Sequence, residues 1–269
     1  MRVQGKRIAF APTMGALHDG HISLIRLGLE KADVAASSIF VNPTQFAAHE
    51  DLSTYPRAEA NDLARLEAAG CSFCYCPSPT EMYPPGDSTR VTVKDLSHIL
   101  EGAVRPHFFE GVASVVSRLF LHVSPDVAVF GEKDYQQLLV IKRMTQDLGF
   151  GIEIIGAPTL READGLAMSS RNAYLNAEER AQAVAVSRAM RDAAARIEAG
   201  ERISATAESA QQALISAGFT SVDYVAVRRA DTLAPFGGDT APAGVTGRLL
   251  IAARLGKTRL IDNIGFVRR

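Results

Sequence analysis

Five short apolar runs alternate with stretches of helical periodicity through the first part of the chain. This alternation constrains the fold more tightly than any single residue does. The runs are Arg7–Ala11, Val34–Val41, Ser72–Cys76, Asp126–Phe130 and Ile152–Gly156. Between them lie Ile22–Lys31, Ala58–Ala69, Gly111–His122 and Tyr135–Leu148. In the third of these, Val112, Val115, Val116, Leu119 and Phe120 keep the spacing of one helix face. Short, largely apolar runs are what strands show when helices cover both faces of a sheet. Strands alternating with helices predict an α/β fold built on a doubly wound parallel sheet. Such sheets bind ligands at the carboxyl ends of their strands, and His18, Asn42 and Gly131 each stand just after a run.

The pattern changes after Pro158. Asn176–Ala199 reads as an alanine-rich helix ending at Gly200, and Ser204–Ala217 as a second ending at Gly218. Val222–Val227 and Arg248–Ala253 read as strands, joined by the glycine- and proline-rich stretch Pro235–Gly247. A smaller C-terminal α+β domain is expected here, with the boundary near Leu160, giving domains 1–160 and 161–269.

A net charge of −1 over 269 residues, with 22% charged, offers no bulk field to attract nucleic acid or a membrane surface. No apolar run reaches spanning length and the start lacks the apolar core of a signal peptide, so a cytoplasmic location is expected. Cys71, Cys74 and Cys76 are an odd cluster and no disulfide framework. No second pair or histidines in register stand by for zinc, and the alternation of the segment predicts buried thiols in a sheet.

Four polar segments interrupt the core pattern. In the first, Pro12-Thr13-Met14-Gly15-Ala16-Leu17-His18-Asp19-Gly20-His21, two imidazoles three residues apart fall at a strand-to-helix turn. A helix start has unpaired N–H groups and the positive end of its dipole, both suited to phosphate. A purely structural histidine pair is the plain alternative. A metal site is another, although Asp19 points to a different face. The second segment is Phe40–Phe46, where Pro43 stops the strand and Gln45 offers a donor and an acceptor; an ordinary Asn-Pro turn is the alternative. The third, Phe130–Gln137, again joins strand to helix. Gly131 permits close approach and Lys133 supplies a point charge, while Asp134 serves either a ribose or a helix cap. The fourth, Met168-Ser169-Ser170-Arg171-Asn172, places two hydroxyls beside a guanidinium, either for phosphate oxygens or as a polar turn. Neither a Walker loop nor Gly-x-Gly-x-x-Gly occurs.

Taken in this order, the four segments resemble those of the pantothenate synthetases, a family of the nucleotidyltransferase superfamily with paired-histidine signatures. Here the signature reads His18-Asp19-Gly20-His21, and Met168-Ser169-Ser170-Arg171 is similar to the Lys-Met-Ser-Lys-Ser loop of class I aminoacyl-tRNA synthetases. The resemblance covers nearly the whole chain, including Leu249–Asn263. It implies a Rossmann-like first domain that binds ATP and pantoate, and a second that closes over the site. It also implies a ligase that joins pantoate to β-alanine through a pantoyl adenylate, releasing AMP and pyrophosphate. By that resemblance Met14, Gly15, Ala16, Leu17, His18, Asp19, Gly20 and His21 bind ATP, with His21 the proton donor and His18, Lys133 and Arg171 sharing the catalytic work. Gly131, Glu132, Lys133 and Asp134 form a second ATP segment. Leu160 packs near the adenine, and Met168, Ser169, Ser170 and Arg171 close over the phosphates. Gln45 and Gln137 hold pantoate, Gln45 also lying near β-alanine. ATP brings Mg²⁺, for which Asp62 is the best carboxylate candidate, its plain alternative being a solvated helix residue; the metal ligands stay open. A homodimer is implied as well.

Two departures from the family pattern stand out. The lead into the first strand is shorter than the family usually carries. The family's Arg-Pro-x-His-Phe-x-Gly-Val is here Arg105-Pro106-His107-Phe108-Phe109-Glu110-Gly111-Val112, with Phe108 in the place of the histidine and His107 one position early. Two other readings use the same scaffold. One is a nucleotidyltransferase with a phosphorylated acceptor, against which the neutral Gln45 and Gln137 argue. The other is a nucleotide-binding protein without catalysis, against which Lys133, Ser169, Ser170 and Arg171 argue.

Overall fold

The computed structural model describes residues 5–47 and 50–269. The chain divides into two compact units, one of residues 1–132 and 136–160, the other of 133–135 and 161–269.

The first unit is built on five parallel strands, β1 (Ile8–Thr13), β2 (Val34–Ile39), β3 (Cys71–Tyr75), β4 (Val127–Gly131) and β5 (Glu153–Ala157), in the order β3-β2-β1-β4-β5. Its helices are α1 (Asp19–Lys31), α2 (Glu59–Ala68), the short α3 (Pro79–Met82) and α4 (Glu101–Val104), α5 (Phe108–Val123) and α6 (Tyr135–Asp147), the last of which begins within the second unit. The α/β expectation holds. The chain leaves β1 toward β2 on one side, and β4 lies on the other. The order therefore reverses between β1 and β4, and the carboxyl ends of these two paired strands flank the switch. β1 runs past the expected end at Ala11 because Pro12 and Thr13 still register with Ser38 and Ile39.

Ala9, Ala11, Ile25, Leu66, Val127 and Val129 form the core beneath this edge. Gly28, in the third turn of α1, lets the helix approach the sheet closely: a Cβ there would stand 3.0 Å from that of Ala9. The three cysteines are free, as the odd count requires, but they are less buried than the alternation predicts. Cys71 and Cys74 are half-buried in the edge strand β3, and Cys76 lies beyond its end, exposed. An edge strand has a covering neighbour on one side only, which is why the pattern overestimated burial.

The second unit holds α7 (Ala177–Glu198), α8 (Ile203–Ser216) and an antiparallel sheet of β6 (Ser221–Arg229), β7 (Thr246–Leu255) and β8 (Thr258–Val267) in the order β6-β7-β8. Asn176 and Glu179 close a reciprocal cap on α7. Met190, Ile197, Leu214, Leu249 and Ile251 lie in its core. Strand β8 was not expected. Its alternation is interrupted by Asp262-Asn263 and Gly265, yet the two-residue turn Gly256-Lys257, with Gly256 at φ +55°, marks the hairpin. Among the described residues no helix is long and apolar enough to cross a membrane.

Candidate active site

The turn after β1 carries the two histidines, and the backbone of α1 decides how they sit. His18 is the N-cap: its Nδ1 accepts from the N–H of Gly20 at 3.1 Å, and His21 Nδ1 reaches back to accept from the N–H of His18 at 3.2 Å. Two imidazoles thus complete the reciprocal cap that a serine and a glutamate usually make. A backbone N–H only donates, so both Nδ1 atoms are unprotonated and each ring carries its hydrogen on Nε2. The ring centroids are 4.1 Å apart. Asp19, between them in sequence, is turned outward to an exposed ion pair with Arg65 at 2.6 Å.

The turn itself is strained, with Gly15 at φ +81° and Ala16 at φ +51°. Asp62 of α2 meets it. Its Oδ2 accepts from the Ala16 N–H and its Oδ1 from the Leu17 N–H, each at 2.8 Å. Asp62 is only 1% exposed, which corrects the reading of a solvated helix residue. It stands four positions before Leu66, whose side chain is in the core, so the helix period already placed it on the buried face. At 1% exposure, with each oxygen taking an amide of the turn, Asp62 is directed at the backbone and away from solvent, which does not fit the ligand of a hydrated cation. Among the described residues no three His, Cys, Asp or Glu side chains gather as a metal cluster.

After β2, Asn42 is a buried hub. Its Nδ2 donates to Gln45 Oε1 and to the Gly111 carbonyl, both at 3.1 Å, and its Oδ1 accepts from Tyr83 Oη at 2.8 Å and Thr44 Oγ1 at 2.9 Å. Asn42 therefore sets the rotamer of Gln45, whose Nε2 lies 3.1 Å from Met14 Sδ and so joins this segment to the histidine turn. Gly111 is needed here, since a Cβ would come within 2.8 Å of the Gln45 backbone. Arg105 braces the same segment: Nη2 donates to the Gln45 carbonyl at 3.1 Å, while Nε and Nη2 grip Glu50 at 2.7 and 2.6 Å. Burial pushes the Glu50 carboxyl up, but Arg105 and neighbouring donors outweigh this and hold it below the usual carboxylate value. Phe108, in the place of the family histidine, packs under the Arg105 guanidinium at 3.9 Å. His107 is left with a buried Nε2 that has no hydrogen-bond partner among the described residues.

At the end of β4, Gly131 and Glu132 fall at the switch beside β1. The two glutamines that follow part ways. Gln136 is buried and bonded to the 96–101 segment, whereas Gln137 is partly exposed and its side chain has no hydrogen-bond partner among the described residues.

In the second unit Lys133 and Asp134 form a loose pair at 3.9 Å, and Asp134 takes no hydrogen bond from the amides of α6, so the helix-cap alternative is not what it does. Lys133 is held by its backbone: Asn263 Nδ2 donates to its carbonyl at 2.8 Å. Asn263 in turn accepts from Arg248 Nε at 2.6 Å, and Arg248 stacks on Tyr135 at 3.9 Å. Residues 161–167 form a small hairpin fastened by the Arg161–Asp262 pair at 2.7 Å, and beyond it Ser169 Oγ accepts from the Arg171 N–H at 3.3 Å. Leu160 belongs to the first unit and is 40% exposed.

A family model described as pantoate-beta-alanine ligase matches residues 1–265. The chain belongs to that family. Pantothenate synthetase of Caulobacter vibrioides is 55% identical over 98% of this chain and 92% of its own length. The Rhodospirillum rubrum pantothenate synthetase is 54% identical over 98% and 93%. The crystal structure of pantothenate synthetase from Thermus thermophilus superposes with a TM-score of 0.90 at 44% identity, over 96% of this chain and 92% of that one. The pantoate-beta-alanine ligase of Francisella tularensis, complexed with beta-gamma ATP and beta-alanine, does so at 0.81 and 34% identity, over 97% and 90%.

Within this pantoate-beta-alanine ligase fold, the turn after β1 carries the His18–His21 cap and, at Met14, the contact with Gln45, with Gly131 and Glu132 at the adjoining strand end. Asn42, Asp62, Arg105, Arg248 and Asn263 are supports that sequence reading did not single out for these roles. Each holds a backbone group or another side chain, and such partners leave no mark on spacing; the helix period of Asp62 was the one legible signal.

Proposed function

We propose that this ligase activates pantoate as an acyl adenylate and transfers the acyl group to β-alanine. In the first unit ATP is assigned to Met14–His21, Gly131 and Glu132, with the adenine at Leu160 and the His18 and His21 Nε2–H groups as phosphate donors; in the second, the family resemblance assigns Lys133, Asp134 and Met168–Arg171 to the nucleotide. Pantoate is held by Gln45 and Gln137. A pantoate carboxylate oxygen attacks the α-phosphorus as the bond to pyrophosphate breaks. The β-alanine nitrogen then attacks the acyl carbon, the acyl–oxygen bond to AMP breaks, and the amine proton leaves with the products. Neither step needs an enzyme nucleophile; orientation and charge stabilisation suffice.

The observation that carries this reading is the reciprocal imidazole cap beside the switch point, which presents two neutral Nε2–H donors at a helix start. A neutral donor stabilises charge developing on the leaving pyrophosphate without transferring a proton, so the role of His21 is hydrogen bonding rather than proton donation. Mg²⁺ bound with the nucleotide would supply charge neutralisation of its phosphates; the described residues offer no cluster of side chains to hold it, and Asp62 is committed to the Ala16 and Leu17 amides. The use of ATP and the three unpaired thiols fit a cytoplasmic enzyme, and a homodimer completes the reading, to be checked by native mass.

The deciding assay is the dependence of AMP release on β-alanine. Release that requires both pantoate and β-alanine supports the ligase. Release that ignores β-alanine and demands a phosphorylated acceptor overturns it in favour of a nucleotidyltransferase.

A further inference from the structure

We propose that Asp62 is a positioning residue for the nucleotide-binding turn, acting through the Ala16 and Leu17 amides, and that it contributes nothing as a metal ligand. The inference rests on the reading of Met14–His21 as an ATP segment.

Three observations converge on it. First, the carboxylate is sealed from solvent and each oxygen takes one backbone N–H at 2.8 Å. A buried carboxylate left unpaired is costly, so these two bonds are held firmly. Second, the backbone they hold would not keep this shape by itself. Ala16 sits at φ +51°, which a residue with a Cβ adopts reluctantly, next to Gly15 at φ +81°. Third, the fit is tight on the side of Gly15. A Cβ there would stand 3.0 Å from Asp62 Oδ2 and 3.2 Å from Ile39 Cγ2. The turn is therefore clamped between the carboxylate of α2 and the end of β2, and His18 follows immediately as the N-cap of α1.

The clamp also sorts the amides of the turn. Those of Ala16 and Leu17 are turned to Asp62, and those of His18 and Gly20 to the imidazole Nδ1 atoms. An anion at this helix start consequently meets side-chain Nε2–H groups whose direction depends on the turn. Releasing Asp62 relaxes Ala16 toward ordinary backbone angles and swings the N-cap, misaiming both rings while the rest of the sheet stays in place.

The test uses the full-length protein and ATP binding measured calorimetrically in the absence of pantoate, together with steady-state kinetics. Asp62→Asn keeps the volume but sets an N–H₂ group against one of the two amides. The expected result is ATP affinity weakened about tenfold or more, the size expected for losing a hydrogen bond to a charged group. The KM for pantoate is expected to move far less, and the Mg²⁺ concentration giving half-maximal rate not at all. Gly15→Ala strains the same turn while leaving the carboxylate intact, and is expected to weaken ATP selectively as well; it decides the matter should Asp62→Asn fail to fold. A folded Asp62→Asn protein with wild-type ATP affinity overturns the inference. So does a raised Mg²⁺ requirement, which would make Asp62 a metal ligand, or an equal loss across all substrates that tracks melting temperature. If His18→Ala and His21→Ala also leave ATP affinity unchanged, the reading of the turn as an ATP segment fails instead.

Discussion

Gln136 donates from Nε2 to the Leu96 carbonyl at 2.8 Å, while its neighbour in sequence, Gln137, leaves its amide without a partner among the described residues. Gln136 also donates to the Ile99 carbonyl at 2.8 Å and accepts from the Glu101 N–H at 3.1 Å, so three backbone groups depend on it. Gln136→Ala is expected to destabilise the fold by about 3 kcal/mol, since each buried group left unpaired costs roughly 1–3 kcal/mol. Gln137→Ala should leave the melting temperature unchanged and raise the KM for pantoate. Denaturant unfolding and steady-state kinetics on the two variants separate these roles; a large stability loss in Gln137→Ala would contradict the assignment.

The imidazole cap makes an unusual prediction about amide replacements. A glutamine amide reaches the place of the ring Nε2, and an asparagine amide that of Nδ1. His21→Gln keeps the donor and is expected to retain most of the turnover number. His21→Ala loses it and should fall by about 10²–10³-fold, roughly 3–4 kcal/mol of barrier, as for other preorganised donors. Equal losses in the two variants would favour proton transfer from the ring.

On the proposed reading, in which the Lys133 ammonium meets the phosphates, Lys133→Ala is expected to lower the turnover number by about 10²-fold or more, while changing stability little because its fold contact is made by the backbone carbonyl. Single-turnover measurement of pyrophosphate release reads the first step directly. A loss below about tenfold would count against placing the ammonium at the phosphates.

Glu50 sets an acid limit. Its carboxyl is held below the ordinary value of 4.5: burial raises it, but the Arg105 hydrogen bond and charge prevail. A carboxyl depressed in the folded state stabilises the fold above its unfolded value, and that contribution is lost as the pH falls through the folded value. Thermal stability should therefore drop from about pH 4.5 downward, and Glu50→Gln should flatten that limb. An unchanged acid profile in Glu50→Gln would show that the Arg105 grip is not the titrating element.

Much of the fold was legible because its signals are periodic. Val112, Val115, Val116, Leu119 and Phe120 announce one buried face of α5, and the apolar runs of β1, β2 and β4 announce covered strands. β8 escaped because Asp262 and Asn263 sit inside it, and these two residues serve Arg161 and the Lys133 backbone, a tertiary task that overrides strand composition. At the candidate site, histidines, glycines and a lysine at strand ends could be read as phosphate chemistry. Choosing Gln137 over Gln136 could not, since the two differ only in which side of α6 they occupy, the one facing the 96–101 segment or the next, and single residues carry no such mark. Asn42 looked like part of a turn because its partners Tyr83 and Gly111 lie far away in sequence.

The contact of Gly28 with Ala9 has a reach beyond its own turn. Seven residues of helix, about 10 Å at 1.5 Å per residue, separate it from His21. A helix is stiff over that length, so it works as a lever whose fulcrum is the bare α-carbon of Gly28. A methyl group added there would lift the shaft off β1 and tilt its far end, moving both imidazoles together without altering either one. On the proposed reading the aim of the site is thus tuned from the helix–sheet contact, and a screen for altered nucleotide affinity should return this glycine beside the histidines themselves.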